Sequence, residues 1–143
     1  MRDARTVLAE SRTIAVVGLS RDPGKAAHRI PARLQSLGWR VLPVHPSADV
    51  LLGELVHASL AHITEPIDLV DVFRPAVEAP GIARAAVAAG ARALWLQLGI
   101  SSAEARAIAT DGGLDYIEDR CAGADAVAWG LRAPRAQDPG HPR

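Results

Sequence analysis

The run TIAVVGLS at residues 13–20 constrains this chain more than any other stretch. Ile14, Ala15, Val16 and Val17 are apolar without alternation. That is the pattern of a strand covered on both faces, as in a parallel sheet. Gly18 ends the run, and Ser20, Asp22, Pro23 and Gly24 supply loop chemistry. Ile30, Leu34 and Leu37 then recur at helical spacing, with Gly38 as a C-terminal stop. Pro31 limits where that helix starts, because proline is tolerated in a first turn and costs about 3 kcal/mol in an interior. The spacing therefore predicts a helix start near residues 28–30. Its free N–H groups then lie beside the turn at 18–20, and strand, small-residue turn and helix N-terminus together make an anion site.

The same alternation continues along the chain. A short leading helix is expected within residues 3–10. Strands are expected at 40–44, 55–58, 68–73, 93–98 and 114–117, and helices at 77–89, 101–108 and 121–131. Pro43 is an exception inside its strand, since it cannot donate to a ladder. The expected fold is one α/β domain over residues 1–132. It is doubly wound, with a mostly parallel sheet of about five to six strands and helices on both faces. Residues 133–143, APRAQDPGHPR, carry little apolar surface and are expected to form a disordered tail.

Composition narrows the function. The chain has 143 residues and zero formal net charge, with one tyrosine and one phenylalanine. Nucleic-acid binding asks for a basic surface, usually with stacking aromatics. No apolar run approaches the roughly 18 residues of a membrane span. The single cysteine, Cys121, excludes an internal disulfide. With no secretory h-region near the first residue, a cytoplasmic location is expected. No Ser-His-Asp order stands out, and His57 and His62 lack metal spacing, so no catalytic or metal-ligating residue is assigned.

In doubly wound sheets, ligands sit beyond the carboxyl ends of the strands. That rule selects Gly18-Leu19-Ser20, Val44-His45-Pro46, Phe73-Arg74-Pro75 and Leu98-Gly99-Ile100, a set suited to one elongated ligand with phosphates at the first corner. Gly18 allows close backbone approach and Ser20 offers a hydroxyl. Lys25 and Arg29 follow with charge, and arginine can grip a phosphate bidentately. His45 stands where NAD-binding versions place Asp or Glu, and G-x-G-x-x-G is missing. Both count against NAD. His45 reads equally as a turn histidine. Arg74 is placed for a phosphate or an amide carbonyl, or for an ion pair with Asp71 or Glu78. Trp95 and Gln97 share a strand face, with Trp95 read as core. Cys121 reads as a thiol beside a ligand or as a small buried residue.

IAVVGLS, GWRVLPVHP, LLGE-x-x-x-ASL, DLVDVFRP, ALWLQLGI and EDRC occur in this order from Thr13 to Cys121. Together they resemble the small stand-alone CoA-binding proteins, the YccU-like group, whose domain is akin to the CoA-binding domain of the succinyl-CoA synthetase alpha subunit. The resemblance implies a Rossmann-like fold that binds coenzyme A or an acyl-CoA, with no established catalytic role for most members. It places Gly18 and Ser20 at the pyrophosphate, with Lys25, His28 and Arg29 on the matching loop and helix start. Val44, His45 and Pro46 would line the adenosine side. Phe73, Arg74, Pro75, Leu98, Gly99 and Ile100 would border the rest of the cofactor, and Cys121 matches the family's D-R-C. Two departures stand out: His45 replaces the usual Asn of P-V-N-P, and AGADAVAWG lacks a downstream Glu-His pair. A nucleotide-dependent enzyme or subunit, either an NAD(P)-binding oxidoreductase or a CoA ligase-like partner, remains the alternative. The alanine-rich helix suits internal packing, a second copy or a partner protein.

Overall fold

The computed structural model describes residues 1–135. In chain order the elements are α1 (Ala4–Glu10), β1 (Thr13–Val17), α2 (Ala26–Ser36), β2 (Arg40–Val44), β3 (Val50–Leu51), β4 (Glu54–Leu55), β5 (Leu69–Val72), α3 (Ala79–Ala88), β6 (Ala93–Leu96), α4 (Ala103–Asp111), β7 (Asp115–Ile117) and α5 (Ala122–Ala128). Five strands form one sheet in the order β2-β1-β5-β6-β7, parallel at every pairing. Counted within that sheet the order is that of flavodoxin-like doubly wound folds, whose switch point lies between the first strand and the next to its other side. Here that point is the gap between β1 and β5.

Both faces of the sheet are covered, as the unbroken apolar runs require. On one face α3 and α4 lay Ala79, Ala83, Ala86, Ala105 and Ala109 against Val70, Val72, Leu94 and Leu96. On the other, α1, α2 and α5 bring Val7, Leu8, Leu34, Ala122 and Ala126 onto Ile14, Val16, Leu69 and Trp95. The alanine-rich face of α3 thus packs inward, where small side chains let helix and sheet approach closely. Among the described residues no helix is long and apolar enough to cross a membrane.

The strand expected at 55–58 does not join the sheet. Residues 50–55 close a small antiparallel hairpin whose turn residues, Leu52 and Gly53, have φ of 53° and 75°. Positive φ at both central positions is the twist that a two-residue hairpin needs. Of residues 55–58, His57 alone pairs with the sheet, as a bridge to Val44 at the outer edge of β2. Its N–H donates to the Pro43 carbonyl at 2.9 Å on that edge, the side the missing proline N–H would also face. Pro43 is tolerated because β2 is an edge strand.

Helix α2 begins at Ala26, earlier than Pro31 suggests, and carries the proline inside it. A proline there removes the N–H that would bond to the carbonyl of Ala27. The Ser20 N–H takes that carbonyl instead, at 3.1 Å. The defect in the helix is repaired from the loop, which is why the helix need not start after it. Of the expected tail, the Ala133 N–H donates to Leu37 O at 3.0 Å and the Arg135 carbonyl accepts from Arg12 at 3.0 Å. Residues 136–143 lie outside the described residues.

One core position is acidic. Asp71 in β5 is fully buried, in register with Val16 and Trp95. Its Oδ1 accepts from Gln97 Nε2 at 2.5 Å, and Oδ2 has no hydrogen-bond partner among the described residues. Loss of water pushes the carboxyl up to about 7, more than the pull from Gln97 can offset. The folded state therefore holds a proton there that the unfolded chain releases near its ordinary value of 3.8. Stability is lost as pH rises between these values. Asp71→Asn removes that dependence. Relative to wild type, the variant should gain stability from about pH 5 to about pH 8, with a slope approaching 1.4 kcal/mol per pH unit at most. Urea melts at the two pH values check this, and parallel changes in both proteins would contradict it.

Candidate functional site

The site begins where β1 ends. Val17 O accepts from Phe73 N–H at 2.9 Å, and Gly18 N–H reaches Val44 O at 3.5 Å, so the chain leaves the sheet between two neighbours. Gly18 adopts φ +91°, and a Cβ there would stand 2.7 Å from Phe73 O and 2.8 Å from Arg74 Cδ. The glycine is thus required by the protein's own crossing at the switch point.

The loop after Gly18 is held in shape from within. Ser20 Oγ accepts from Asp22 N–H at 3.0 Å, and Asp22 Oδ1 accepts from Gly24 N–H at 2.8 Å. His28 Nδ1 lies 2.8 Å from Ser20 O, and since a carbonyl only accepts, Nδ1 carries the proton. Arg29 donates to the Gly24 carbonyl. His28 and Arg29 therefore brace the loop and do not line the cleft, whereas Gly18, Leu19, Ser20 and Lys25 do. The Ser20 amide is engaged by Ala27 O. The amides of Leu19, Ala26 and Ala27 donate to no atom among the described residues. Ala26 and Ala27 open the 11-residue helix α2, so their N–H groups carry the positive end of its dipole. The Ser20 hydroxyl keeps its own hydrogen free to donate.

The second corner supplies Val44, His45 and Pro46 to the same cleft. His45 Nδ1 accepts from Ser47 N–H at 3.1 Å and from Ala48 N–H at 3.0 Å. It acts as a turn histidine, doing with a ring nitrogen what an Asn side-chain oxygen does in an Asx turn. At the third corner Arg74 lies over Gly18 and forms a bidentate pair with Glu78, at 3.1 and 2.7 Å. Both partners are more than 40% exposed, with side chains at 47% and 43%, so the pair adds little to stability and is easily exchanged for another anion.

The cleft around these residues measures about 1190 Å3, with Ser59, Leu60, Val77 and Ile82 on its far wall. A second cleft of about 480 Å3 adjoins it, sharing Ala27, Phe73 and Arg74. Pro75, Leu98, Ile100 and Cys121 line this second cleft, together with Ile30 and Gln97. Gly99 does not. Its N–H is held by Asp119 Oδ1 at 2.7 Å, which shapes the turn. Cys121 is half-buried and caps α5, its Sγ accepting from Ala124 N–H at 3.5 Å. Among the described residues no cluster of three or more His, Cys, Asp or Glu is arranged to hold a metal.

Sequence reasoning missed Ala26 and Ala27, Ile30, the far wall and Gln97. The far wall gives no local signal, since chain crossing alone brings it there. Gln97 had one: it and Asp71 are the polar residues inside the apolar runs DLVDVF and ALWLQL. Of two comparable glycine substitutions, Gly18→Ala should be the costlier. Gly53 also has positive φ, at +75°, but nothing lies within 4 Å of an added Cβ. Denaturant melts should show Gly18→Ala losing about 1–3 kcal/mol beyond Gly53→Ala, the usual cost of overpacking. Equal losses would mean that strain alone, and not the crossing, demands the glycine.

Comparison with known proteins bears on what fills such clefts. A family model described as a CoA binding domain matches residues 12–126. The uncharacterized protein YneT of Bacillus subtilis is 35% identical over 119 residues, which span 83% of this chain and 88% of YneT. The solved structure of cell-free ID.343 from Thermus thermophilus is 36% identical with a TM-score of 0.82, covering 87% of this chain and 94% of that one. A hypothetical protein from Pyrococcus horikoshii OT3 is 28% identical with a TM-score of 0.84, covering 87% and 88%. Sequence and fold agree along most of the length, and the chain belongs to the CoA binding domain family.

Proposed function

We propose that the paired clefts bind coenzyme A or an acyl-CoA as one extended ligand and that the protein acts as a binding module, a sensor or carrier. The observation that carries this reading is the adjoining pair of clefts, which together run from the Gly18 loop to Cys121 in a chain of the CoA binding domain family. In this reading the diphosphate lies against the amides of Leu19, Ala26 and Ala27, with Ser20 and Lys25 beside it. Open amides at a helix start favour an anion. The adenosine side faces Val44, His45 and Pro46. The pantetheine arm passes Phe73 and Arg74 toward Leu98, Ile100 and Cys121. Arg74 then exchanges Glu78 for a ligand phosphate or carbonyl.

The non-catalytic part of the reading rests on how the cleft's titratable groups are used. His45 Nδ1 is engaged by two backbone amides and Glu78 by Arg74. Asp22 Oδ1, in the same cleft, is likewise engaged by the Gly24 amide.

Thermal melts test the ligand. CoA at about 100 times its dissociation constant should stabilise the fold by about 2.7 kcal/mol, visible as a raised Tm, while NAD at the same concentration should not. Tighter binding of NAD than of any CoA species would overturn the reading. Orientation is tested at Cys121. CoA disulfide should add one CoA to the protein mass faster than glutathione disulfide adds glutathione at equal concentration, because binding presents the disulfide to the thiolate. Reductant should reverse the gain. Equal labelling rates would place the thiol end elsewhere.

A further inference from the structure

The second cleft is apolar along Ala26, Ile30, Pro75, Leu98 and Ile100, and Gln97 also lines it. Gln97 is 4% exposed and has little freedom. Its N–H donates to Val72 O at 3.2 Å, and its carbonyl accepts from Ile100 N–H at 2.9 Å. Its side chain is turned by Asp71, whose buried Oδ1 accepts from Nε2. Oδ1 accepts whether the carboxyl is ionised or carries its proton on Oδ2, so the nitrogen end of the amide faces inward and the oxygen end is left for the cleft. Among the described residues nothing donates to that oxygen, and it is not one of the buried atoms left without a partner. An uncompensated carboxyl in the core is costly, and here it fixes one amide in one orientation.

We propose that Gln97, positioned by Asp71, is the acceptor that recognises an amide N–H of the ligand's pantetheine arm in the second cleft. The assignment rests on the CoA reading above and adds a specificity-determining residue to it. Within an apolar cleft a single fixed acceptor discriminates by leaving an N–H satisfied in one ligand and an oxygen facing an oxygen in another.

Calorimetry separates this assignment from the reading it rests on. Gln97→Leu should weaken CoA about five- to tenfold, the worth of one hydrogen bond, and leave adenosine 3′,5′-bisphosphate, which has no arm, unchanged. Asp71→Leu, which releases the amide, should behave like Gln97→Leu, whereas Asp71→Asn keeps an acceptor for Nε2 and should restore CoA binding. The wild-type protein provides a test independent of folding. Of two CoA analogues that each carry an ester oxygen in place of one pantetheine N–H, one should bind about five- to tenfold more weakly than CoA. Equal affinity for CoA and both analogues would overturn the assignment, as would parallel losses of CoA and the bisphosphate in Gln97→Leu. Wild type that binds the bisphosphate as tightly as CoA would overturn it and leave the nucleotide site standing. Wild type that binds neither would overturn the CoA reading, and this assignment with it.

Discussion

Strand β1 is hydrogen-bonded on both sides, to β2 and to β5, and the chain leaving it has only the gap between their ends to pass through. Gly18 occupies that gap under Phe73 O and the Arg74 side chain, with a backbone angle that L side chains rarely adopt. The rest of the site follows from this passage. Because the crossovers diverge at the switch point, no helix covers the strand ends there, and a cleft remains. Because Arg74 lies over Gly18, the same residue that closes the passage borders both halves of the cleft.

The loop after Gly18 is tied down for a reason local to α2. Pro31 leaves the Ala27 carbonyl without its helical donor, and the Ser20 amide fills the vacancy. His28 and Arg29 add bonds to the loop carbonyls of Ser20 and Gly24. Preorganisation of this kind lowers the entropy a ligand must offset on binding. It also divides the amides of the turn and helix start. One loop amide is used by the fold, while the first amides of the helix stay open. The cations nearest in sequence divide the same way, with Arg29 structural and Lys25 lining the cleft without an ion pair among the described residues.

Polar groups elsewhere follow one logic, in which a side chain meets a backbone or core need and, directly or through a neighbour, shapes the edge of a cleft. His45 completes a turn through Nδ1 while its ring borders the cleft. Asp119 holds the Gly99 amide and so sets the turn that carries Leu98 and Ile100. Asp71 and Gln97 are the costliest instance, since a buried carboxyl loses stability as pH rises from its ordinary value toward its raised one. Buried polar pairs of this kind orient groups more than they stabilise a core.

Much of the fold was legible in the residues. Unbroken apolar runs such as IAVV, DLVDV and ALWL marked strands buried on both faces, and glycines and prolines between them marked the corners. Those signals are local, because a strand covered on both sides has no polar face to hide. The fate of residues 55–58 and the start of α2 were not legible, since each turns on a partner outside its own element: β2 for His57, the Ser20 loop for Ala27. The site divides in the same way. Sequence by itself determined which corners border the clefts, through the rule that strand ends in parallel sheets converge on one edge. Only the tertiary structure decided which side chains at those corners face the cleft, that His28 and Arg29 serve the loop, and that Gln97 is turned by Asp71. Hydrogen-bond partners are chosen by through-space geometry, and sequence spacing does not encode it once the chain crosses from one strand to the next.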